Sequence, residues 1–317
     1  MSTAILVASA GGHLSELVRI QRRLADYDDF VWVVPDTGQA RSLLGTNPHA
    51  GRIEAIPDLK SRDLLGAFGL LGKAWSLMRA EKPDVVLSTG AAPAVPFLVA
   101  AALARVPAFY VESLARLDGP SLSAKLLKPV PGVALRTQHE SLAWDGWGSI
   151  GLGVTYTTSK RPAPTRPMRA VVTVGTTHFD FRALLSRLVT IFPTNADVTW
   201  QVGYSDVADL DLPGATQLVP PDEMAELMKH ADVVVAHAGV GSALDALEAG
   251  CMPILVPRRA ERGEHVDDHQ VQAAQWLQSL GLAIAPELDE LGPSHLELAM
   301  TTAVQASSPP TPLHLLG

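Results

Sequence analysis

The sequence predicts an α/β protein made of two doubly wound domains, each with a parallel sheet between layers of helices. Short apolar runs alternate with amphipathic stretches in both halves of the chain. Several of these runs are apolar throughout, which is typical of parallel strands buried on both faces. A proline-rich stretch that is poor in core-forming residues, 159–167, divides the halves and is predicted to be a linker.

The first predicted domain covers residues 1–158, and the second covers residues 168–306. In the first, strands are predicted at 4–9, 30–34, 52–56, 84–88, 108–111 and 133–136, with helices near 14–25, 64–80, 94–105 and 121–128. In the second, strands are predicted at 170–174, 198–202, 233–236 and 254–256, with helices near 181–191, 222–230, 242–249, 266–280 and 294–305. Residues 307–317, which begin with a run rich in serine and proline, are predicted to form a flexible tail.

Composition argues against several classes of protein. A chain of 317 residues that is 47% hydrophobic is long enough for two domains of ordinary size. Its net charge of −8 argues against a nucleic-acid partner, because nucleic-acid-binding proteins normally carry a basic excess. The single cysteine, Cys251, leaves no intramolecular disulfide and no cysteine-based zinc site, as in a protein of the reducing cytosol. The N-terminus lacks the basic region of a signal peptide, and no apolar run reaches the roughly 20 residues of a membrane span.

The most informative segment is 232–250, which predicts a strand, a glycine loop and a helix in succession. The strand is the apolar run 233–236, the loop contains Gly239 and Gly241, and the helix is predicted to begin at Ser242. Such a unit places unpaired backbone N–H groups and the positive end of a helix dipole beside the carboxyl end of a parallel strand. Phosphate binds well at such a place, so the segment indicates a nucleotide-binding site.

Two carboxylates come after this loop. Asp245 and Glu248 lie one turn apart on the predicted helix, where they are suited to bind the hydroxyls of a ribose. The spacing from Ser242 to Asp245 also fits a capping box, in which the acid bonds back to the N–H at the start of the helix. The two interpretations compete for the same carboxylate.

Together with the segments at 253–257 and 263–270, these motifs resemble the donor half of the family 28 glycosyltransferases. The resemblance rests on four segments: His237-Ala-Gly-Val-Gly-Ser, Asp245-Ala-Leu-Glu-Ala-Gly, Pro253-Ile-Leu-Val-Pro and Gly263-Glu-His-Val-Asp-Asp-His-Gln. The last segment is most similar to bacterial capsule and exopolysaccharide transferases, some of which transfer glucuronic acid. The first half of the chain is similar to the acceptor-side subunit of the two-subunit enzyme that adds N-acetylglucosamine to dolichol-linked sugar. The resemblance implies the GT-B fold, in which two Rossmann-like domains face a cleft.

The resemblance also implies donor-binding residues in the second half. Thr176 and Thr177 are suited to the donor's diphosphate, and a charged His178 would offset negative charge on the leaving diphosphate. The segment 263–270 is rich in carboxylate and imidazole groups, as a metal site would be, but the family generally needs no metal; neither a metal nor a cofactor is expected. Arg258 and Arg259 are candidates for binding a phosphate, or a sugar carboxylate if the donor is UDP-glucuronate. The remaining implied donor residues are His237, Gly239, Gly241, Ser242, Asp245 and Glu248, with Asp268, His269 and Gln270 against the sugar hydroxyls.

The acceptor side is assigned to the first half. The turn Gly11-Gly12-His13 comes after the first predicted strand and opens a helix, and Thr89 and Gly90 lie in a similar turn. An inverting transfer needs a base that takes a proton from the acceptor hydroxyl, which an imidazole does near neutral pH. The resemblance makes His13 this base or a ligand of the acceptor phosphate. The alternative is a histidine that only caps the helix.

Two further residues of the first half are candidates. Glu112 ends a predicted strand and is either the base in place of His13 or a ligand of the acceptor sugar. The alternative is an ion-paired carboxylate that stabilises its loop. Arg116 is a candidate for contact with a pyrophosphate.

An apolar stripe runs along the predicted helix at 64–80. Stripes of this kind are usually core, but this one is wide and has a basic border, as does a helix that lies on anionic lipid. The resemblance turns this face toward the membrane, so core packing and peripheral membrane contact through 64–78 are both open. The stripe consists of Leu64, Phe68, Leu71, Trp75 and Met78, and its border of Lys60, Arg62, Lys73, Arg79 and Lys82.

These observations predict an inverting, metal-independent enzyme that transfers a sugar from a UDP-sugar to a lipid-linked acceptor. It would work in the cytoplasm, at the inner face of the plasma membrane. A non-hydrolysing UDP-N-acetylglucosamine 2-epimerase, which shares the fold, is one alternative. A nucleotide-sugar-binding subunit that needs a partner is another, although the fusion of acceptor-like and donor-like halves argues against it.

Overall fold

The chain folds into two compact α/β units. The computed structural model describes residues 2–45, 47, 51–59, 63–139, 146–176, 178–264, 268–307 and 309–315. The first unit is Met1–Gly153 with Pro310–Gly317, and the second is Val154–Pro309. Each unit contains a parallel sheet, which confirms the predicted fold class of two Rossmann-like domains. The sequence places the end of the first domain at residue 158, whereas the units divide between Gly153 and Val154.

The first unit is built on a parallel sheet whose strands at 3–8, 29–35, 85–90 and 108–111 are buried for nearly all of their length. The strands are β1 (Thr3–Ala8), β2 (Asp29–Pro35), β3 (Arg52–Ile56), β4 (Val85–Gly90), β5 (Ala108–Val111), β6 (Val133–Thr137) and β7 (Gly148–Ser149). Their order across the sheet is β3-β2-β1-β4-β5-β6-β7, with β1 in a central position. Six of these strands were predicted; β7 was missed because it is only two residues long.

Helices cover both faces of this sheet. They are α1 (Gly12–Gln21), α2 (Gly38–Gly45), α3 (Leu64–Gly69), α4 (Leu71–Glu81), α5 (Ala94–Leu103) and α6 (Leu122–Leu127). Along β1, Ala4 and Leu6 pack in the core cluster that contains α1, while Ile5 and Val7 pack in the cluster that contains α4 and α5. This alternation is the period of a strand that is buried on both sides. The predicted helix 64–80 is interrupted at Leu70, and α2 was not predicted.

The second unit has a smaller parallel sheet and a separate two-stranded ribbon. The parallel strands are β9 (Arg169–Thr173), β10 (Asp197–Gln201), β11 (Val233–Ala236) and β12 (Pro253–Leu255), and the ribbon strands are β8 (Tyr156–Lys160) and β13 (Thr302–Ala306). The parallel order is β10-β9-β11-β12. The helices are α7 (Arg182–Ile191), α8 (Pro221–Lys229), α9 (Val240–Glu248), α10 (His269–Ser279) and α11 (Pro293–Met300), with a short 3₁₀ turn at Ala260–Arg262.

The ribbon corrects the prediction of a helix over 294–305. The helix ends at Met300, and Thr302–Ala306 pairs antiparallel with Tyr156–Lys160. Threonine and valine at 301, 302 and 304 favour an extended chain because β-branched side chains lose rotamer freedom in a helix. The pairing also extends β8 to Lys160, which lies within the stretch that the sequence assigns to the linker.

The end of the chain packs on the first unit, where the sequence predicts a flexible tail. The buried guanidinium of Arg23 donates to the carbonyl oxygens of Ile150 (2.7 Å), Gly151 (2.8 Å) and Thr311 (3.0 Å). The N–H of Leu313 donates to the carbonyl of Arg23 at 2.7 Å. Arg23 therefore joins α1 to segments that are distant in sequence, which sequence periodicity does not reveal.

Candidate functional site

The predicted site residues lie at the carboxyl edges of the two parallel sheets. In the first unit these residues lie in the loops after β1 and β5 and at the end of β4, and in the second unit they lie in the loops after β9, β11 and β12. Strands of a parallel sheet all end at the same edge, so the loops after neighbouring strands lie side by side. Each unit thus gathers its candidate residues from three separate stretches of sequence.

In the first unit, His13 is held against the end of β4. Its Nδ1 lies 2.9 Å from the carbonyl oxygen of Thr89, and the Thr89 hydroxyl donates back to the carbonyl of His13 at 2.7 Å. Gly90 has a φ of +121°, and a Cβ built there would lie 3.1 Å from His13 Cε1. The positive φ therefore favours glycine at position 90, and the close imidazole leaves little room for a side chain there.

This contact indicates the tautomer of the neutral His13 ring. A carbonyl oxygen can only accept a hydrogen bond, so in the neutral imidazole Nδ1 carries the proton and Nε2 carries the lone pair. The N-cap of α1 is Gly11, with no side-chain cap, so the interpretation of His13 as a helix cap is wrong. The structure thus brings Gly11, Gly12, His13, Thr89 and Gly90 together, as the sequence predicts.

Glu112, the other candidate base, is buried directly after β5. Its side chain is 1% exposed. One carboxylate oxygen accepts from the Tyr110 hydroxyl at 3.0 Å and from Ser113 N at 3.3 Å, and the other accepts from Ser121 N at 2.8 Å. Burial raises its pKa. These contacts show Glu112 tying the loop between β5 and α6 to both of its ends.

A second buried carboxylate, Glu16, was not predicted from the sequence. It accepts from the Ser113 hydroxyl (2.8 Å), Leu114 N (3.1 Å) and Gln138 Nε2 (2.6 Å). It therefore fastens α1, one turn after His13, to the same loop that Glu112 holds. The available signal was a charged residue within the apolar run of α1, since Glu16 is flanked by the buried Leu14, Leu17 and Val18.

In the second unit, the imidazole of His237 lies between two glycines. A Cβ built on Gly175 would come within 2.5 Å of the ring, and one built on Gly239 within 2.4 Å of Nε2. Gly175 also has a φ of +78°. His237 is 7% exposed, and its Nδ1 lies 3.4 Å from the carbonyl oxygen of Thr173. The turns after β9 and β11 are therefore in contact through this ring.

The helix after this turn, α9, begins earlier than predicted. Its N-cap is Gly239, with no side-chain cap, and Ser242 lies inside the first turn. The capping-box interpretation of Ser242 and Asp245 is therefore wrong. Asp245 is half-buried and Glu248 is exposed one turn later.

The third loop of the second unit comes after β12. Gln270, in the first turn of α10, is 3% exposed and accepts from Arg258 N at 3.1 Å. Asp268 accepts from Ala260 N at 3.1 Å, and His269 is half-buried beside it. Arg259 forms an ion pair with Glu287.

The residues predicted for the diphosphate are only partly described. Thr176 and His178 are exposed in the turn after β9, and the His178 ring lies 4.2 Å from that of Tyr204 between centroids. Thr177 lies outside the described residues, as do 265–267. Within the described ranges, no group of three or more carboxylate, imidazole or thiol side chains is arranged to hold a metal ion.

The apolar stripe at 64–78 divides between core and surface. Leu70, Leu77 and Met78 are buried, but Phe68 and Trp75 are 67% and 42% exposed. Together with Leu65, at 87%, these exposed residues form what we call the α3–α4 surface. Lys60, Arg62 and the side chain of Leu64 lie outside the described residues. Of the helices in the described ranges, none is both long enough and apolar enough to cross a membrane.

Glu16 makes the stability of the first unit depend on pH. Desolvation by burial raises its pKa to about 7 from an ordinary 4.5, so the folded protein binds this proton more tightly than the unfolded chain. Its contribution is present below about pH 4.5 and is lost as the pH rises through about 7. We expect the free energy of unfolding of wild type, relative to Glu16→Gln, to fall by up to about 3 kcal/mol across this window. Denaturant titrations of both proteins from about pH 5 to about pH 8 measure this fall. A difference in the free energy of unfolding that stays the same at every pH would contradict the expectation.

Comparison with known proteins identifies the second unit. Residues 169–310 match the model of the glycosyltransferase family 28 C-terminal domain. This region contains the turns after β9, β11 and β12, and therefore His237, Asp245 and the 268–270 segment.

Over nearly its whole length the chain is also similar to curated bacterial enzymes. It is 26% identical to the UDP-N-acetylglucosamine--N-acetylmuramyl-(pentapeptide) pyrophosphoryl-undecaprenol N-acetylglucosamine transferase of Xanthomonas axonopodis pv. citri, over 94% of this chain and 73% of that protein. It is 27% identical to the enzyme of the same name from a Synechococcus species, over 85% of this chain and 80% of that one.

Solved structures show the same fold at lower identity. MurG of Acinetobacter baumannii aligns with a TM-score of 0.59 and 19% identity, over 94% of this chain and 89% of that chain. The glycosyltransferase SnogD from Streptomyces nogalater aligns with a TM-score of 0.62 and 18% identity, over 94% and 90%. The chain is therefore a glycosyltransferase of the GT-B fold whose second unit matches the family 28 C-terminal domain.

Proposed function

We propose that this glycosyltransferase moves a sugar, glucuronic acid or N-acetylglucosamine, from a UDP-sugar to a lipid-linked saccharide acceptor with inversion at the anomeric carbon. The proposed reaction is a step in the synthesis of a bacterial polysaccharide or glycoconjugate. The observation that carries the proposal is the pair of glycine turns packed around His237, within the region that matches family 28. The names of the curated relatives, which give a UDP-sugar donor and a pyrophosphoryl-undecaprenol acceptor, support both substrate classes.

The donor is proposed to bind at the carboxyl edge of the second sheet. Its diphosphate lies against the Thr176–Thr177 turn and the start of α9, where backbone N–H groups and the positive end of the helix dipole favour anions. His178 is exposed in the same turn and balances charge on the leaving diphosphate. The start of α9 contributes Gly239, Gly241 and Ser242; the ribose binds to Asp245 or Glu248, and the sugar to Asp268, His269 and Gln270.

The base is proposed to be His13. With Nδ1 protonated and bonded to the Thr89 carbonyl, Nε2 takes the proton of the acceptor hydroxyl. The hydroxyl oxygen then bonds to the anomeric carbon while the bond from that carbon to the diphosphate breaks, and UDP leaves with the electron pair. Glu112 is buried with both oxygens engaged by its own loop, so we assign it to positioning that loop. Arg116, in the same loop, is proposed to contact the acceptor pyrophosphate.

The acceptor's lipid is proposed to bring the enzyme to the inner face of the plasma membrane. The α3–α4 surface presents exposed apolar side chains, with Arg79 placed 6.0 Å from the Trp75 ring centroid. Helix α5 packs against both α4 and α6, and α6 exposes Leu122 and Leu126. Exposed Lys125 and Lys128 lie beside these leucines. Apolar side chains and basic residues together favour adsorption to anionic lipid.

The proposed reaction is tested by incubating the protein with a panel of UDP-sugars, with and without a lipid extract of bacterial membranes. We expect UDP release from UDP-glucuronate or UDP-N-acetylglucosamine only when the lipid extract is present. Conversion of a UDP-sugar to its epimer without any acceptor would instead establish an epimerase. No UDP release with any donor would contradict the proposal.

Removing the imidazole tests the assignment of the base. His13→Ala should lower kcat by roughly 10²–10⁴ while leaving UDP affinity unchanged, because proton transfer is lost and the donor site is untouched. His314→Ala, which removes an exposed histidine of the same unit, serves as the control. If Glu112→Gln abolishes turnover and His13→Ala is mild, the two roles are exchanged.

Adsorption to lipid tests the proposed location. Wild type should sediment with anionic liposomes at low salt and be released at high salt, because each basic residue near the surface contributes about 1 kcal/mol. Phe68→Glu/Trp75→Glu should lose this binding while keeping its melting temperature, since both side chains are exposed. Leu298→Glu, at an exposed leucine of the second unit, should still bind. Failure of wild type to sediment with anionic liposomes would rule out docking through this surface.

A further inference from the structure

The strongest anomaly in the second unit is a buried arginine. Arg258 lies just after β12 and has no solvent-exposed surface. The sequence suggested that it binds a phosphate or a sugar carboxylate directly, but a side chain enclosed on all sides does not reach a ligand at the surface. A guanidinium taken out of water is costly to keep there unless it is paired and hydrogen-bonded. A charged side chain that is buried at this cost is expected to have a role in the site.

Arg258 holds both ends of the turn after β9. Its Nη2 donates to the carbonyl oxygens of Val174 at 2.8 Å and Phe179 at 3.1 Å. The N–H of Gly175, on the far side of the 174–175 peptide, donates to Thr173 Oγ1 at 3.2 Å. The peptide at the start of the turn is therefore fixed from both sides, and the exposed residues Thr176 and His178 lie between the two anchored carbonyls.

The same residue also joins this turn to α10. Its backbone N–H donates to Gln270 Oε1, and its guanidinium carbon lies 5.1 Å from the centroid of the buried Phe181 ring. Three stretches of the proposed donor site, at 174–179, 258 and 270, are therefore connected through one residue. A shift of Arg258 would change the spacing between the proposed diphosphate and sugar residues.

The positive charge of Arg258 is only partly compensated. Its Nε and Nη1 are buried and have no acceptor within the described part of the chain. Burial lowers its pKa to about 10, with Glu264 and Asp180 acting in the opposite direction, so the group stays charged at neutral pH. A charge in a low-dielectric interior acts over a longer distance than one in water. The electrostatic field of Arg258 therefore favours the binding of an anion at the 174–179 turn.

We propose that Arg258 is a positioning residue of the donor site. It anchors the 174–179 turn through two backbone carbonyls, and it keeps a buried positive charge next to the place where the donor's diphosphate binds. This role rests on the proposed function, because it assigns the diphosphate to that turn. The guanidinium does not contact the ligand; it acts through the loop and through its charge.

Ligands that share the uridine group but differ in the number of phosphates test the electrostatic contribution of Arg258. Affinities of the full-length protein for UDP, UMP and uridine are measured by NMR titration, which reaches millimolar dissociation constants. Arg258→Met should weaken the binding of UDP by about tenfold or more. The binding of UMP should weaken less, and that of uridine by less than about twofold. Arg258→Lys, which keeps the charge but donates from one nitrogen, should retain most of the preference for UDP over uridine. An equal loss for all three ligands would mean a structural role only and would overturn the proposal.

Hydrogen exchange without ligand tests the anchoring part independently. Amides of 174–181 should exchange about tenfold faster or more in Arg258→Met than in wild type. The matched control is Arg161→Met, which removes a guanidinium that donates to the backbone carbonyls of Met300 and Asp232 in the same unit; it should leave this segment protected and UDP affinity unchanged. Unchanged exchange in Arg258→Met would overturn the anchoring role. Failure of wild type to bind UDP would overturn the proposed function, while the exchange result would still decide whether Arg258 holds the turn.

Discussion

The close packing of an imidazole against glycine backbone sets the geometry of both candidate sites. In the second unit the ring of His237 occupies the space where side chains at Gly175 or Gly239 would have a Cβ. In the first unit the ring of His13 packs closely against Gly90, where an added Cβ would lie 3.1 Å from Cε1. Each ring joins turns at the ends of neighbouring parallel strands, so the turns cannot move independently. Any side chain at these glycines would push the turns apart or displace the ring.

The two units differ in the charge that supports their loops. In the first, the loop between β5 and α6 is held by two buried carboxylates, Glu16 and Glu112. In the second, the turn after β9 is held by the buried guanidinium of Arg258. A buried cation close to a turn is suited to a diphosphate, whereas the two buried carboxylates organise the N–H and O–H donors of the loop that they hold.

The sequence predicted most of the parallel strands because several of them are apolar throughout and bounded by turns. It failed where an element depends on a distant partner. The sequence predicted that the helix continues to residue 305, whereas Thr302–Ala306 is a strand that pairs with Tyr156–Lys160, far away along the chain. The short helix α2, Gly38–Gly45, has just two buried residues, Ala40 and Leu44, so its apolar period is weak.

The candidate site was predictable where a motif sits on one turn and not where contacts cross the fold. The Gly11–His13 and Gly239–Ser242 turns were found because glycine after a strand has a local meaning. Arg258 resembled a surface arginine in the sequence because its acceptors, Val174 and Phe179, are far away along the chain. Glu16 was overlooked because a single acid in an apolar helix gives no indication of the Ser113 and Gln138 donors that satisfy it.

The central claim is that a UDP-sugar binds to the second unit at the start of α9. Calorimetric titration of wild type and Asp245→Ala with UDP tests it most directly. Wild type should bind UDP, and Asp245→Ala should weaken the binding by about 1–3 kcal/mol, the usual effect of losing hydrogen bonds to a charged group. A variant that keeps the wild-type melting temperature and binds UDP as tightly as wild type would contradict the ribose-binding role of Asp245, and wild type that does not bind UDP would contradict the account as a whole.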